Sequence, residues 1–171
     1  MKFNKIATLA IIVLAAFLCL NVASAGLFDF LGGGEPEIVN ETYTLDGFSV
    51  VLPKNTSIIN FTLPNSDGVN GTTYYIQDYA HNNTTCSISV GEGSNLVTSI
   101  DDYVQNMLDK GAIKEANHGN WTVLNVNNYR FDDGSKDSGY VLAMHEGSRI
   151  ITISGEDLGY LQNLSDTYKK V

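Results

Sequence analysis

Between Ile38 and Val90 the chain is a succession of short β-prone runs, each closed by turn-forming residues, and few folds accommodate that pattern. Tyr43 to Leu45 leads into Gly47-Phe48-Ser49-Val50-Val51-Leu52-Pro53. Ser57 to Leu63, Thr72 to Ala80 and Thr84 to Val90 follow. Thr, Tyr, Val and Ile dominate these runs, as suits a pleated, half-buried surface. Pro53-Lys54-Asn55, Pro64-Asn65-Ser66-Asp67-Gly68 and His81-Asn82-Asn83 supply the breaks.

The period then changes from two to between three and four. Ile100, Val104, Met107 and Leu108 share one face of a helix. Ser99 is placed to cap it, Asp101 and Asp102 suit its first turn, Lys110 suits its last, and Gly111 stops it. Three more strands are expected at Trp121 to Arg130, Tyr140 to His145 and Arg149 to Ser154, the last pair joined tightly through Glu146-Gly147-Ser148. A closing helix is expected from near Glu156, with Leu158, Leu161, Leu164 and Tyr168 as its apolar stripe. Lys169 and Lys170 would complement its C-terminal end. The expected fold is α+β: a mainly antiparallel sheet flanked by two α-helices over residues 38–171.

Ahead of that domain, Lys2 and Lys5 precede an apolar run from Ile6 to Leu20, and Ala23-Ser24-Ala25 offers a small–x–small cleavage pattern. Residues 1–25 read as a signal peptide or a retained signal anchor through residues 6–22. The run falls short of the ~20 apolar residues that cross a bilayer comfortably. Leu18 before Cys19 argues against a lipoprotein site. Residues 26–37 read as a Gly-rich linker carrying an apolar patch at Leu27, Phe28, Phe30 and Leu31. The expected address is secreted or cell surface.

Charge narrows the partners. The whole chain carries a formal net charge of −9, and loss of Lys2 and Lys5 makes the remainder more acidic. Phosphate backbones would be repelled, so no nucleic acid is expected, and membrane contact only through an uncleaved N-terminal segment. Beyond residue 25 only Cys86 remains, so no intramolecular disulfide can staple the domain. Its setting, Thr84-Thr85-Cys86-Ser87-Ile88-Ser89-Val90, places it on one strand face with Ile88 and Val90, which suits a buried structural thiol.

Two pieces of local sequence carry a family likeness. Tyr43 through Gly47-Phe48-Ser49-Val50-Val51-Leu52-Pro53 resembles the opening hairpin of the superfamily typified by the PsbP extrinsic photosystem protein. Ser99-Ile100-Asp101-Asp102-Tyr103-Val104 resembles its mid-chain helix, and Arg149 to Ser154 followed by a helix through Tyr168 is similar to its ending. The resemblance covers residues 40 to 171 and implies an α/β/α sandwich around an antiparallel sheet. It transfers no site residue. The composition also resembles uncharacterised, Asn- and Thr-rich secreted proteins of methanogenic archaea.

The candidate modification sites stand out most. Asn-x-Ser/Thr occurs at Asn40, Asn55, Asn60, Asn70, Asn82, Asn83, Asn120 and Asn163, where chance pairing would give roughly two or three. Asn82 and Asn83 overlap. The bland alternative is that Asn and Thr are common neighbours in polar strands and turns.

Other chemistry is thinner. His81, His118 and His145 are isolated, without the paired spacing of a zinc site, and read as solvated or edge residues. Asp132, Asp133 and Asp137 around Gly134 lack the ligand order of a calcium loop and read as a solvated turn. No nucleophile motif is present. Trp121, Tyr129, Tyr140 and Tyr160 could form a carbohydrate or peptide platform, but aromatics at strand spacing more often belong to the core. No cofactor, metal or catalytic residue is expected.

The expected function is an exported, non-enzymatic accessory or binding domain acting on an unknown protein or cell-envelope partner. A structural cell-envelope glycoprotein is the second reading and a hydrolase with a dispersed site the third. A binding module should expose an aromatic patch or an open sheet edge. An enzyme should bring Cys86 or a serine to a histidine in a cleft.

Overall fold

The alternation at Ser57 to Val90 builds three adjacent strands at one end of a seven-stranded antiparallel sheet. The computed structural model describes residues 37–66, 69–93, 100–130 and 138–171. The expected signal segment, most of the linker, the Ser99 cap and the Asp132–Asp137 turn lie outside the described residues.

Strands β1 (Asn40–Leu45) and β2 (Phe48–Pro53) form a hairpin through Asp46 and Gly47. Strands β3 (Ser57–Ser66), β4 (Val69–Asp78) and β5 (Thr84–Gly93) form a meander. Helix α1 (Ile100–Asp109) follows, then β6 (Ile113–Lys114), β7 (Thr122–Asn125), β8 (Tyr140–Glu146) and β9 (Arg149–Gly155). Helix α2 (Leu158–Thr167) and β10 (Lys169–Lys170) close the order. The large sheet runs β3-β4-β5-β9-β8-β7-β6, and a small one runs β1-β2-β10. Every strand pair is antiparallel.

Alternating side chains give the large sheet two apolar faces. On one side Tyr74, Ile76, Cys86, Ile88, Leu142, Ile151 and Ile153 meet Phe48, Val50 and Leu52 of β2 and Leu161 and Leu164 of α2. Each such aliphatic side chain contributes about 1.5–3 kcal/mol when fully buried. On the other side Val104 of α1, with Ile100, Met107 and Leu108 beside it, packs on Leu124, Val126, Val141 and Ala143. Both predicted stripes therefore face the sheet.

Four of the differences from the expected boundaries bear on the faces described below. The strand expected over Trp121 to Arg130 stops at Asn125, because Asn125 Oδ1 accepts the Asn127 amide N–H at 3.1 Å and the chain turns, Tyr129 N–H donating to Val126 O. The strand expected over Thr72 to Ala80 begins at Val69 and ends at Asp78, whose carboxylate captures the next amides. The strand expected to end at Leu63 continues to Ser66 through a register shift between Leu63 and Ser66.

The fourth difference concerns the end of α2. Asp157 caps its N-terminus, accepting the Tyr160 amide N–H, and Tyr168 is already extended. Lys169 and Lys170 are therefore not helix-end cations. They pair with Ser49 and Phe48 as β10.

Candidate binding face

The same alternation that fills the core leaves an apolar residue on the far side of β3 and β4. Ile58-Ile59 and Tyr74-Tyr75 each place one large side chain on either face. Tyr74 is buried, whereas Tyr75 is 54% exposed, and its register partner Ile59 is 57% exposed. Phe61 is 56% exposed and meets Tyr75 edge-on, ring centres 5.6 Å apart at 83°. Tyr79, also exposed, continues the β4 row and donates to Gln77 Oε1 at 3.0 Å.

Hydroxyls pave the ground beside these rings. Thr73 Oγ1 and Ser89 Oγ lie 3.0 Å apart, and Ser87 Oγ and Ser154 Oγ 2.8 Å apart. The outward residues of β3, β4 and β5 between Ser57 and Ser89 include no charge, although the chain carries −9 overall. Helix α1 covers only the β7–β8 end of this face. A shallow depression of about 310 Å³ lies along its flank, lined by Tyr103, Met107, Tyr129, Thr152 and Ser154. Another, of about 220 Å³, runs from Tyr75 past Ser87 to Ser154. A surface of rings and hydroxyls can stack on and hydrogen-bond to an uncharged partner.

The opposite side holds the densest polar cluster. Asp78 is completely buried at the end of β4. Its Oδ1 accepts the amide N–H groups of Ala80 at 2.9 Å and His81 at 3.1 Å. Its Oδ2 accepts the Tyr160 hydroxyl at 2.9 Å and lies 2.7 Å from His81 Nδ1. Burial pushes this carboxyl upward, but the bonds from His81 and Tyr160 outweigh it and hold it below its usual value. Burial and neighbouring Cys86 and Asp78 push the Tyr160 phenol upward. A cleft of about 230 Å³ adjoins them, floored by Val51, Leu52, Pro53 and Leu164 and flanked by Asn40, Asn163 and Thr167. All the strong acceptor positions of Asp78 are committed, so the cluster reads as a brace between β4 and α2. Asp78 carried no signal in the sequence because it continues a strand-like run.

The other expected residues are scattered. Among the described residues, His81 and His118 bond to the carboxylates of Asp78 and Asp166, not to a serine or cysteine. No three His, Cys, Asp or Glu gather as a metal would require among the described residues. Cys86 is buried in the core, and burial, with Asp78 nearby, pushes its thiol up to about 12. Trp121 and Tyr129 are buried and Tyr140 and Tyr160 half-buried, so these four belong to the packing and not to a platform. Among the described residues the exposed rings are Phe61, Tyr75 and Tyr79, of which Tyr75 was legible in the doubled apolar pair of β4.

Seven sequon asparagines are exposed: Asn40, Asn55, Asn60, Asn82, Asn83, Asn120 and Asn163. The Asn70 side chain lies outside the described ones. Asn55, Asn82 and Asn83 have φ of 70°, 53° and 59°, left-handed turn positions that asparagine tolerates better than most residues.

Compared with family models, curated proteins and solved structures, the chain matches none.

Proposed function

We propose that this chain is an exported, non-enzymatic binding domain that docks an uncharged surface of a cell-envelope partner onto the outer face of β3, β4 and β5. The observation that carries this reading is the grouping of Ile59, Phe61, Tyr75 and Tyr79 on one uncharged face of an acidic chain. Exposed aromatics with hydroxyls around them give contact area without the desolvation cost of charges. Export rests on Lys2 and Lys5, the apolar run Ile6 to Leu20 and Ala23-Ser24-Ala25. A PsbP-type relationship belongs to the same proposal, supported by the order of strands, helix, strands and helix around an antiparallel sheet.

The non-enzymatic part draws on the cleft beside Asp78. His81 is held there by a carboxylate whose acceptor positions are filled, and Cys86 sits in the core with a thiol at about 12. Neither arrangement activates a nucleophile.

A photoreactive side chain placed at Tyr75 in the producing cell tests the reading, with Glu115, exposed on another part of the surface, as control. A cross-linked envelope partner is expected from position 75 and not from 115. Equal capture at both positions, or none at 75, overturns it.

A further inference from the structure

Sheet edges expose unpaired N–H and C=O groups that can template pairing with another chain. Among the described residues the two sheets have four edge strands: β1 and β10 on the small sheet, β3 and β6 on the large one. β6 and β10 are two residues long, so shortness alone protects them. β1 has six residues and β3 has ten. β3 reads SIINFTLPNS, without a single charge, and is hydrogen-bonded to β4 on one side only. Pro64 removes one donor near its end, but Ser57 to Thr62 carries neither lysine nor proline to deter a partner strand.

Each long edge carries one sequon, and both sequons are exposed throughout: Asn40-Glu41-Thr42 on β1 and Asn60-Phe61-Thr62 on β3. A transferase must seat the asparagine amide and the Ser/Thr hydroxyl together, so both must be reachable. Two of the other described sequons fail that condition, and three hold their asparagine in a turn away from the sheet edges. Thr122, the hydroxyl partner of Asn120, is buried. Ser165, the partner of Asn163, is buried in α2 and donates to Gln162 O at 2.8 Å. Asn55, Asn82 and Asn83 sit in left-handed turns that belong to no sheet edge, and a glycan there would leave β1 and β3 open.

We infer that Asn40 and Asn60 are N-glycosylation sites of the folded domain, and that their glycans block the two long sheet edges of the described residues. In the transfer, Asn Nδ2 bonds to the anomeric carbon of a lipid-phosphate-linked sugar. The bond from that carbon to the phosphate oxygen breaks, its electron pair leaves with the lipid phosphate, and the amide gives up one proton. The Asn60 side chain projects from the opposite side of β3 to Ile59 and Phe61. A glycan there obstructs strand addition while leaving the aromatic face clear.

This inference rests on the export part of the proposed function. Glycopeptide mass spectrometry on the full-length protein, purified from fractions of its native cells, separates the two. A chain found only in the cytoplasm sinks export itself. An exported chain is expected to carry glycan at Asn40 and Asn60, with Asn120 and Asn163 bare. Exported protein bare at Asn40 or at Asn60, or modified at Asn120 or Asn163, overturns the assignment. The Asn40→Gln/Asn60→Gln double variant is expected to keep the wild-type melting temperature but to self-associate in light scattering, whereas Asn163→Gln stays monodisperse. A double variant as monodisperse as wild type overturns the edge-blocking role.

Discussion

Tyr160, in the first turn of α2, donates its phenolic hydrogen to Asp78 Oδ2 at 2.9 Å and ties the closing helix to the end of β4. That bond joins residues far apart in sequence, and Asp78 has no exposed surface. Asp78→Asn keeps the shape but replaces an acceptor with a donor facing Tyr160 and His81. A loss of about 1–3 kcal/mol is expected in chemical denaturation at neutral pH.

The same carboxylate sets an acid limit. Its folded pKa lies below the ordinary 3.8. Its stabilising contribution is therefore complete above 3.8 and fades as pH falls through the lowered folded value. The stability gap between wild type and Asp78→Asn is expected to narrow below pH 3.8. A gap that stays constant into that range argues against the ionised brace.

Gly139 has φ +104°, and a Cβ there would strike the carbonyl oxygen of Gly155 on β9. Gly139→Ala is expected to cost about 1–3 kcal/mol or more, since left-handed strain and a backbone clash combine. A urea titration should show a lower midpoint with an unchanged slope.

Cys86 is held as a neutral thiol by burial, its pKa raised to about 12. Iodoacetamide at pH 8 is expected to leave Cys86 unlabelled in the native protein and to label it stoichiometrically in denaturant, read on the Cys86 peptide. Rapid native labelling of that peptide would show that β5 opens locally.

Phe61→Ala and Tyr75→Ala remove exposed rings whose main mutual contact is one edge-on pair. Each is expected to change stability by less than about 1 kcal/mol, within the range of a single aromatic pair. Both are expected to abolish retention on isolated envelope material. Retention equal to wild type rules out the outer face as the docking surface.

The sequence exposed the strands and helices well where the period was clean. Val104 and Met107 announced α1, and Leu161 and Leu164 announced α2. Side-chain competition was harder to read. Asn125 ends β7 by accepting an amide N–H that would otherwise serve the ladder, and nothing in its neighbours' hydropathy marks that choice. Asp78 was invisible for a related reason: its burial is decided by Tyr160 and His81, which arrive from elsewhere in space. The exposed rings were half legible. Ile58-Ile59 and Tyr74-Tyr75 require one outward residue each, but only the reach of α1 decides which part of that face stays uncovered. The edge strands emerged from strand order, which no local pattern encodes.

The pairing of Lys169 and Lys170 with Phe48 and Ser49 has a temporal consequence. β2 is among the first strands to be synthesised, and its second neighbour follows about 120 residues later. The small sheet therefore stays incomplete until residues 169–170 have been synthesised. Packing of Phe48, Val50 and Leu52 against Leu161 and Leu164 of α2 waits as well. A polypeptide whose first strands cannot complete their sheet alone stays partly open through synthesis, and locks only when the late partner arrives.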